Sequence, residues 1–370
     1  MKITPKNLYQ RQTTLPEIGE EGQQKLREAK IVIVGCGGLG SVAAVYLAAS
    51  GVGNMHLIDF DVVSVSNLHR QVFYTTESIG KPKVAVLVNH IKSVAPFVKL
   101  THSSSALSKL NTLKAFADFD IILDCTDSLP IKYLINDACV LTDKILVYGS
   151  LYKFDGYVAS FNVPDTNGER SCNLRDAFPE MPKEYIPNCA EAGTLNSIVG
   201  IIGLLQANEV LKLITQTGKP LINQLLIYNS LENTQFKMKL KPSHDCHSDG
   251  AKRRGISDIF KTETYTDIPC DLQDENLLIS ATDLKEQLLK SRENLCLISV
   301  IENQNMLLPF EVDAKIPLSK FKPKNLKIEH SKTYVMVCQI GITSYTATKT
   351  LKMEFSDLMV LSLQGGIEKY

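Results

Sequence analysis

The 370-residue sequence carries no net charge, because forty Lys and Arg offset forty Asp and Glu. Without a chain-wide positive field it has no general means of holding nucleic acid or an anionic membrane, so small molecules or proteins are the expected partners. No secretory leader is expected either. The opening MKITPKNLYQRQTTLPEIG has no apolar stretch between a basic start and a small-residue cleavage site, and no later apolar run is read as long enough to span a membrane. Nine cysteines are scattered through apolar stretches (Cys125, Cys139, Cys296) and loop-like ones (Cys172, Cys189, Cys246), without the dense framework of a small secreted domain. Free thiols in a reducing cytoplasm are the expectation. No internal repeat is visible. What the sequence does have is apolar material, 44% against 22% charged, enough to bury a sizeable core. Its length suggests two domains.

The apolar pattern is that of an α/β chain. A β-branched run, Ile31 to Val34, is closed by glycines, followed by helical periodicity from Leu39 to Ser50 and a second strand from Met55 to Asp59. A helix over Lys81 to Val94 and strands at Ile121 to Leu123 and Ile145 to Tyr148 extend the alternation, which predicts a doubly wound, mainly parallel, Rossmann-like sheet. Its ligand belongs at the strand C-terminal ends. Strand signals at Tyr157 to Asn162, Leu225 to Tyr228 and Gln235 to Leu240, around a long helix at Thr194 to Thr215, predict an antiparallel extension. The first domain is set at 1–245 and a polar linker at 246–272. A smaller α/β domain at 273–370 has helices at Ala281 to Lys290 and Thr343 to Met353, with strands at Leu295 to Val300 and Thr333 to Cys338.

Gly35-Cys36-Gly37-Gly38-Leu39-Gly40 has the spacing of a loop that lets bare backbone approach phosphate at a helix start. Asp59, ending the next strand, is placed to accept hydrogen bonds from ribose hydroxyls. A dehydrogenase fits these features as well as an ATP-using enzyme. The next segments separate the two. Ser66-Asn67-Leu68-His69-Arg70-Gln71 and Gly80-Lys81-Pro82-Lys83 bring cations suited to neutralising departing pyrophosphate, which hydride transfer does not need. Asp124-Cys125-Thr126-Asp127, after a strand, places a carboxylate where it could hold Mg²⁺ with water and phosphate oxygens.

Over nearly all of residues 5 to 242 the sequence resembles the MoeB/ThiF/HesA family of adenylyltransferases, relatives of ubiquitin-activating enzymes. The resemblance rests on Arg11-Gln12, GCGGLG, LIDFD, VSVSNLHRQ, GKPK, LDCTDS and PNCAEAGTLNSIVGIIGLLQANEVLKLI. It implies that ATP activates the C-terminal glycine carboxylate of a small ubiquitin-like sulfur-carrier protein as an acyl adenylate, ahead of thiocarboxylate formation. Molybdopterin synthesis is the expected pathway, with thiamine thiazole synthesis as the alternative. A nicotinamide-dependent oxidoreductase and a non-catalytic binder of a ubiquitin-like protein are the rival classes. By the same resemblance, Gly35, Gly37, Gly38, Gly40, Asp59, Asp61, Ser66 and Ser128 line the nucleotide. Asn67, Arg70 and Lys83 contact phosphates, and Asp127 is the Mg²⁺-linked catalytic acid. Arg11 reaches the ATP of a second copy, which requires a homodimer. Cys189 stands where some members carry a cysteine that bonds to the activated carrier, and a structural thiol is the other reading.

Two departures follow. The structural zinc of the family is held by two C-x-x-C pairs, but here the first reads Asn173-Leu174-Arg175-Asp176 and the second Cys246-His247-Ser248-Asp249. Cys172 is one residue out of register; Cys172, His244, Cys246 and His247 could form an altered site, but with the spacing of the first arm lost no zinc is expected. Residues 279 to 370 resemble a rhodanese domain through ISATDLKEQL, LCLISV, VMVCQIGITSYTATKTL and Gly365-Gly366-Ile367. Cys338 takes the persulfide position, with a cysteine desulfurase as the implied sulfur donor. Thr343 replaces the usual loop arginine and Ser299-Val300-Ile301-Glu302 the usual D-V-R-E, so a persulfide carrier and a degenerate docking module both stand.

Overall fold

The computed structural model describes residues 2–181, 193–242, 249–265, 275–301, 303–339 and 341–370. It divides into two units, one comprising residues up to Met181 with Thr194–Tyr265, and another whose described residues are Gly193, 275–301, 303–339 and 341–370.

The first unit is built on eight strands: β1 (Lys30–Val34), β2 (Asn54–Ile58), β3 (Lys99–Ser103), β4 (Ile121–Asp124), β5 (Ile145–Tyr152), β6 (Asp155–Phe161), β7 (Gln224–Asn229) and β8 (Thr234–Lys239). Their order is β3-β2-β1-β4-β5-β6-β7-β8. The pairs from β3 to β5 are parallel and those from β5 to β8 antiparallel, so the doubly wound sheet and its extension are as the pattern predicts. Central strands such as β1 and β4 read as unbroken apolar runs because both faces are covered. The chain winds outward from β1 to β3, then returns to place β4 beside β1. That reversal opens a crevice beyond the carboxyl ends of β1 and β4.

One expectation fails on the helix Asn196–Thr215. Its 20 residues, with mean hydropathy 1.5 over an 18-residue window, do reach membrane-spanning length. It is nevertheless a core helix, packed on the helix Gly38–Ala49 and on β5 and β6. Gln206 and Glu209, both buried, point inward: Gln206 Nε2 donates to the Asp124 carbonyl at 2.8 Å, and Glu209 accepts from Ser160 Oγ at 2.9 Å and the Leu221 N–H at 2.7 Å. Such groups are costly in hydrocarbon and are satisfied only by this interior.

The stretch expected to be a linker from 246 is, over its described part, structured. A helix at Asp249–Thr262 packs on the helix Leu129–Leu141, with Ile256 buried and Phe260 against the apolar cluster that also contains the buried Tyr265. Its many polar residues hid a helix whose few apolar side chains meet partners far away in sequence. The first unit therefore runs to Tyr265 rather than 245.

In the second unit, β9 (Leu278–Ile279), β10 (Leu295–Ser299), β11 (Ala314–Lys315), β12 (Thr333–Val337) and β13 (Val360–Leu363) form a parallel sheet in the order β11-β10-β12-β13-β9. The helix Ala281–Lys290 starts where the sequence places it, because Ser280 caps it by accepting the Asp283 N–H at 3.1 Å.

Candidate nucleotide site

The parallel register aligns Val34 of β1 with Ile58 of β2 and Asp124 of β4, so the loops after these strands emerge side by side. Each of two glycines is there for a steric reason. Gly35 has φ +87°, and a Cβ on it would lie 2.8 Å from the Cys125 carbonyl oxygen. A Cβ on Gly40 would lie 1.8 Å from the Gly35 carbonyl oxygen. The loop thus folds flat against the end of β4 and feeds the 12-residue helix Gly38–Ala49, whose first turn has no side-chain cap. Its first N–H groups and the helix dipole form an anion site. Gly38 has a packing reason of its own. A Cβ there would meet Val199 Cγ1 at 2.1 Å, so its lack of a side chain serves packing against the helix Asn196–Thr215.

Asp59 is buried at the same end and clamps the loop. Its Oδ2 accepts the Cys36 N–H at 2.6 Å and its Oδ1 the Asp61 N–H at 2.8 Å. Burial raises its carboxyl above the ordinary range, opposed by Lys83 and by these N–H donors. Lys83, also buried, pairs with Asp61 at 2.8 Å. Asn67 caps its own turn, accepting the Ser64 N–H at 3.4 Å. Arg70 is half-buried, with Nη1 on the Ser66 carbonyl at 2.8 Å and beside His69 Nε2 at 3.0 Å, and its own carbonyl lies against Gly38. The turn 65–71 therefore reaches the glycine loop. Tyr74, from the same stretch, donates its hydroxyl to the Cys36 carbonyl at 2.6 Å.

The two acids after β4 have separate jobs. Asp124 is fully buried, with Oδ2 on Lys132 Nζ at 3.1 Å and Oδ1 accepting from the Thr126 N–H at 3.0 Å and hydroxyl at 2.7 Å. Lys132 also donates to the Gly149 carbonyl at 2.7 Å and lies 5.0 Å over the Tyr148 ring. Burial works hardest against its charge, yet Asp124 and Tyr148 together outweigh it and hold Lys132 above the ordinary lysine range. Asp124 is thus fully engaged. Asp127 is exposed and has no hydrogen-bond partner among the described residues. Ser128 follows as the N-cap residue of the helix Leu129–Leu141. Sequence reasoning missed Lys132 and Gln206 here. The only signal was a lysine within the apolar LPIKYLI and a glutamine within an apolar helix. Lys132→Met, which strands a buried carboxylate, is expected to cost about 3–5 kcal/mol of stability, measurable by urea unfolding.

Burial pushes the thiols of Cys36 and Cys125 upward, so the loop itself offers no nucleophile. Cys189 lies outside the described residues, as do His244, Cys246 and His247. Arg11 is exposed on the helix Gln10–Thr13, which Gln12 ties to Gln23 Oε1 at 2.7 Å and to the Ser50 carbonyl at 3.0 Å. Ser50 ends the helix that the glycine loop begins, about 18 Å away for 12 residues. The fold therefore does not bring Arg11 to the loop of its own chain. In the second unit, Cys338 is buried after β12. Its Sγ accepts the Gly341 N–H at 3.1 Å and lies 3.2 Å from Ser344 Oγ, which is 2.8 Å from Ser362 Oγ. Thr343, at the position of the usual arginine, is buried.

A doubly wound sheet, a glycine turn feeding a helix start, an acid ending β2 and cations beside the same crevice define a nucleotide-binding α/β protein. The chain belongs to the ThiF family, whose profile matches residues 9–248. It is 41% identical over 239 residues to the sulfur carrier protein adenylyltransferase of Thermus thermophilus, covering 64% of this chain and 88% of that protein. It is 32% identical over 375 residues to the probable adenylyltransferase/sulfurtransferase MoeZ of Mycobacterium tuberculosis, covering 97% of this chain and 91% of that protein. Among solved structures, Escherichia coli MccB with ATP shares the fold, with TM-score 0.56 and 22% identity over 65% of this chain and 74% of that chain.

Proposed function

We propose that this chain uses ATP to adenylate the C-terminal glycine carboxylate of a small ubiquitin-like sulfur-carrier protein, in molybdopterin synthesis. The observation that carries the reading is the convergence of the glycine turn, Asp59, the Arg70 turn and the Asp124–Asp127 loop on one crevice. The names of the Thermus and Mycobacterium relatives support it. In the reaction a carrier carboxylate oxygen bonds to the α-phosphorus of ATP, and the bond to the bridging oxygen breaks as pyrophosphate leaves. The N–H groups at the start of the helix Gly38–Ala49 hold phosphate oxygens. Arg70 and Lys83 neutralise the departing charge, Lys83 exchanging Asp61 for phosphate. Asp59 holds the glycine turn through Cys36 and offers its remaining lone pairs to the ribose, with Ser66, Asn67 and Ser128 beside it. Mg²⁺ suits the Asp127 carboxylate, since this ion keeps several waters and needs few protein oxygens; when bound it spreads phosphate charge.

Arg11 serves the ATP of a second copy in a homodimer, a reading supported by its distance from its own loop. Arg11→Ala and Asp127→Ala chains are each expected to be inactive alone. Co-expressed, they should recover roughly a quarter of the wild-type rate, the share for random pairing in a two-fold dimer. No recovery would mean that Arg11 does not act across an interface.

The second unit is read as a rhodanese-like module in which Cys338 carries a persulfide received from a cysteine desulfurase. Support comes from the N–H of Gly341 donated to Sγ, from Ser344 Oγ 3.2 Å away from it, and from MoeZ, named for both activities and matched over both units. Cys189 remains a candidate for covalent capture of the carrier. A cytoplasmic setting is proposed for the whole chain.

The function is tested by trapping the acyl adenylate. With ATP, magnesium and hydroxylamine, a carrier ending in glycine should yield a hydroxamate at that terminus, and a carrier lacking the glycine none. Equal yield from both would reject the carboxylate assignment.

A further inference from the structure

The residues aligned with the first pair of zinc ligands do not fit a zinc ion. Asn173 Oδ1 accepts the Arg175 N–H at 2.8 Å and Asp176 Oδ2 accepts the Asn173 N–H at 2.8 Å, a reciprocal cap on the helix Leu174–Ala177. Neither position supplies the thiolate or imidazole that tetrahedral structural zinc prefers. Cys172, the adjacent thiol, is fully buried, and its own N–H is fixed on Asn223 Oδ1 at 2.8 Å.

Next to this cap lies a different fastening. Asp137, fully buried in the helix Leu129–Leu141, accepts Arg175 Nε at 2.8 and 3.1 Å, Arg175 Nη2 at 2.7 Å, the Tyr265 hydroxyl at 2.5 Å and Asn136 Nδ2 at 2.9 Å. The Arg175 guanidinium lies 4.8 Å over the Tyr133 ring and gives Nη1 to the Pro179 carbonyl at 3.2 Å. Tyr133 donates in turn to the Phe178 and Glu180 carbonyls at 3.0 and 2.9 Å. A single carboxylate therefore joins the helix Leu129–Leu141, the segment 173–180 and the segment 249–265, which ends on the buried Tyr265. A charge taken out of water this completely is stable only if its lone pairs are filled. Here one guanidinium balances it and two neutral donors complete it.

We propose that the Asp137–Arg175–Tyr265 cluster is a metal-free replacement for the family's structural zinc, closing the first unit by pinning the segment 249–265. The zinc pairs of the family join the segment near 173–176 to the segment near 246–249. The cluster ties the first of these stretches to Tyr265, at the end of the helix-bearing segment that follows the second, using Arg175 from between the lost ligand positions. This inference concerns the fold and does not depend on the adenylation reading.

The test uses the full chain, purified without added metal, with and without a strong zinc chelator. Zinc content should be far below one per chain, and melting should not respond to the chelator. Arg175→Met should lower the Tm by roughly 6 °C or more, because it strands the buried carboxylate. Tyr265→Phe, which removes one oxygen and keeps the ring, should lower it by roughly 2–4 °C. Both should open new protease cleavage sites within 249–265. If the arginine variant fails to fold, the tyrosine variant still decides. One tightly held zinc per chain whose removal lowers the Tm would overturn the proposal, as would a Tyr265→Phe chain that melts and digests like wild type.

Discussion

Asp127→Ala is expected to lower carrier-dependent adenylation by roughly 10²–10³-fold, the usual cost of losing one group that stabilises transition-state charge. Melting should hardly change. Asp127 is exposed and has no hydrogen-bond partner among the described residues, so nothing in the core depends on it, and surface substitutions of this kind stay within about 0.5 kcal/mol. Nucleotide binding should also survive in large part, because the glycine turn and its clamp on Asp59 are untouched. The informative pattern is a fall in kcat with a near-normal melting curve. Asp124→Ala should do the reverse, unfolding the chain more readily, since that carboxylate is buried against Lys132. An Asp127→Ala chain that turned over at the wild-type rate would remove this residue from the chemistry.

Gly40→Ala is the second large effect. In an exposed helix interior this exchange would stabilise by about 1 kcal/mol through helix propensity alone. Here the added carbon would lie 1.8 Å from the Gly35 carbonyl oxygen, and the obstacle is backbone rather than a movable side chain. Overpacking typically costs about 1–3 kcal/mol, so the steric effect wins and the sign reverses. The strain falls on the turn that presents N–H groups to phosphate. ATP affinity should therefore drop at least roughly tenfold, a change of about 1.4 kcal/mol in binding. Calorimetric titration with ATP and thermal unfolding read the two losses separately. Unchanged affinity would show that the turn is not the phosphate site.

Much of this site was legible because its signals are local. A β-branched run followed by glycines announces β1 and its turn, and the acid of LIDFD announces the end of β2. What escaped depends on partners distant in sequence. Lys132 within LPIKYLI looks like one polar residue on an amphipathic helix until Asp124, eight residues earlier, is seen buried beneath it. At Gly38 the second reason for a glycine is also distant, because Val199 from the helix Asn196–Thr215 occupies its Cβ direction. Composition alone marks 246–272 as a linker, although Asp249–Thr262 is a helix. Its docking rests on Tyr265 meeting Asp137, a contact 128 residues apart that no local pattern encodes. The helix Asn196–Thr215 lies where the sequence sets it, yet its length and apolar composition alone would let it cross a membrane. Its polar positions, Gln206 and Glu209, make sense only once their buried acceptors and donors are in place.

Carrier-dependent exchange of labelled pyrophosphate into ATP tests the central claim most directly, because it reports formation and reversal of the acyl adenylate without requiring any sulfur step. With magnesium and reducing agent present, rapid exchange is expected when a sulfur-carrier protein ending in glycine is added, and none with the same carrier amidated at its C-terminus. Exchange that is absent with every such carrier, or equal without one, would contradict the account.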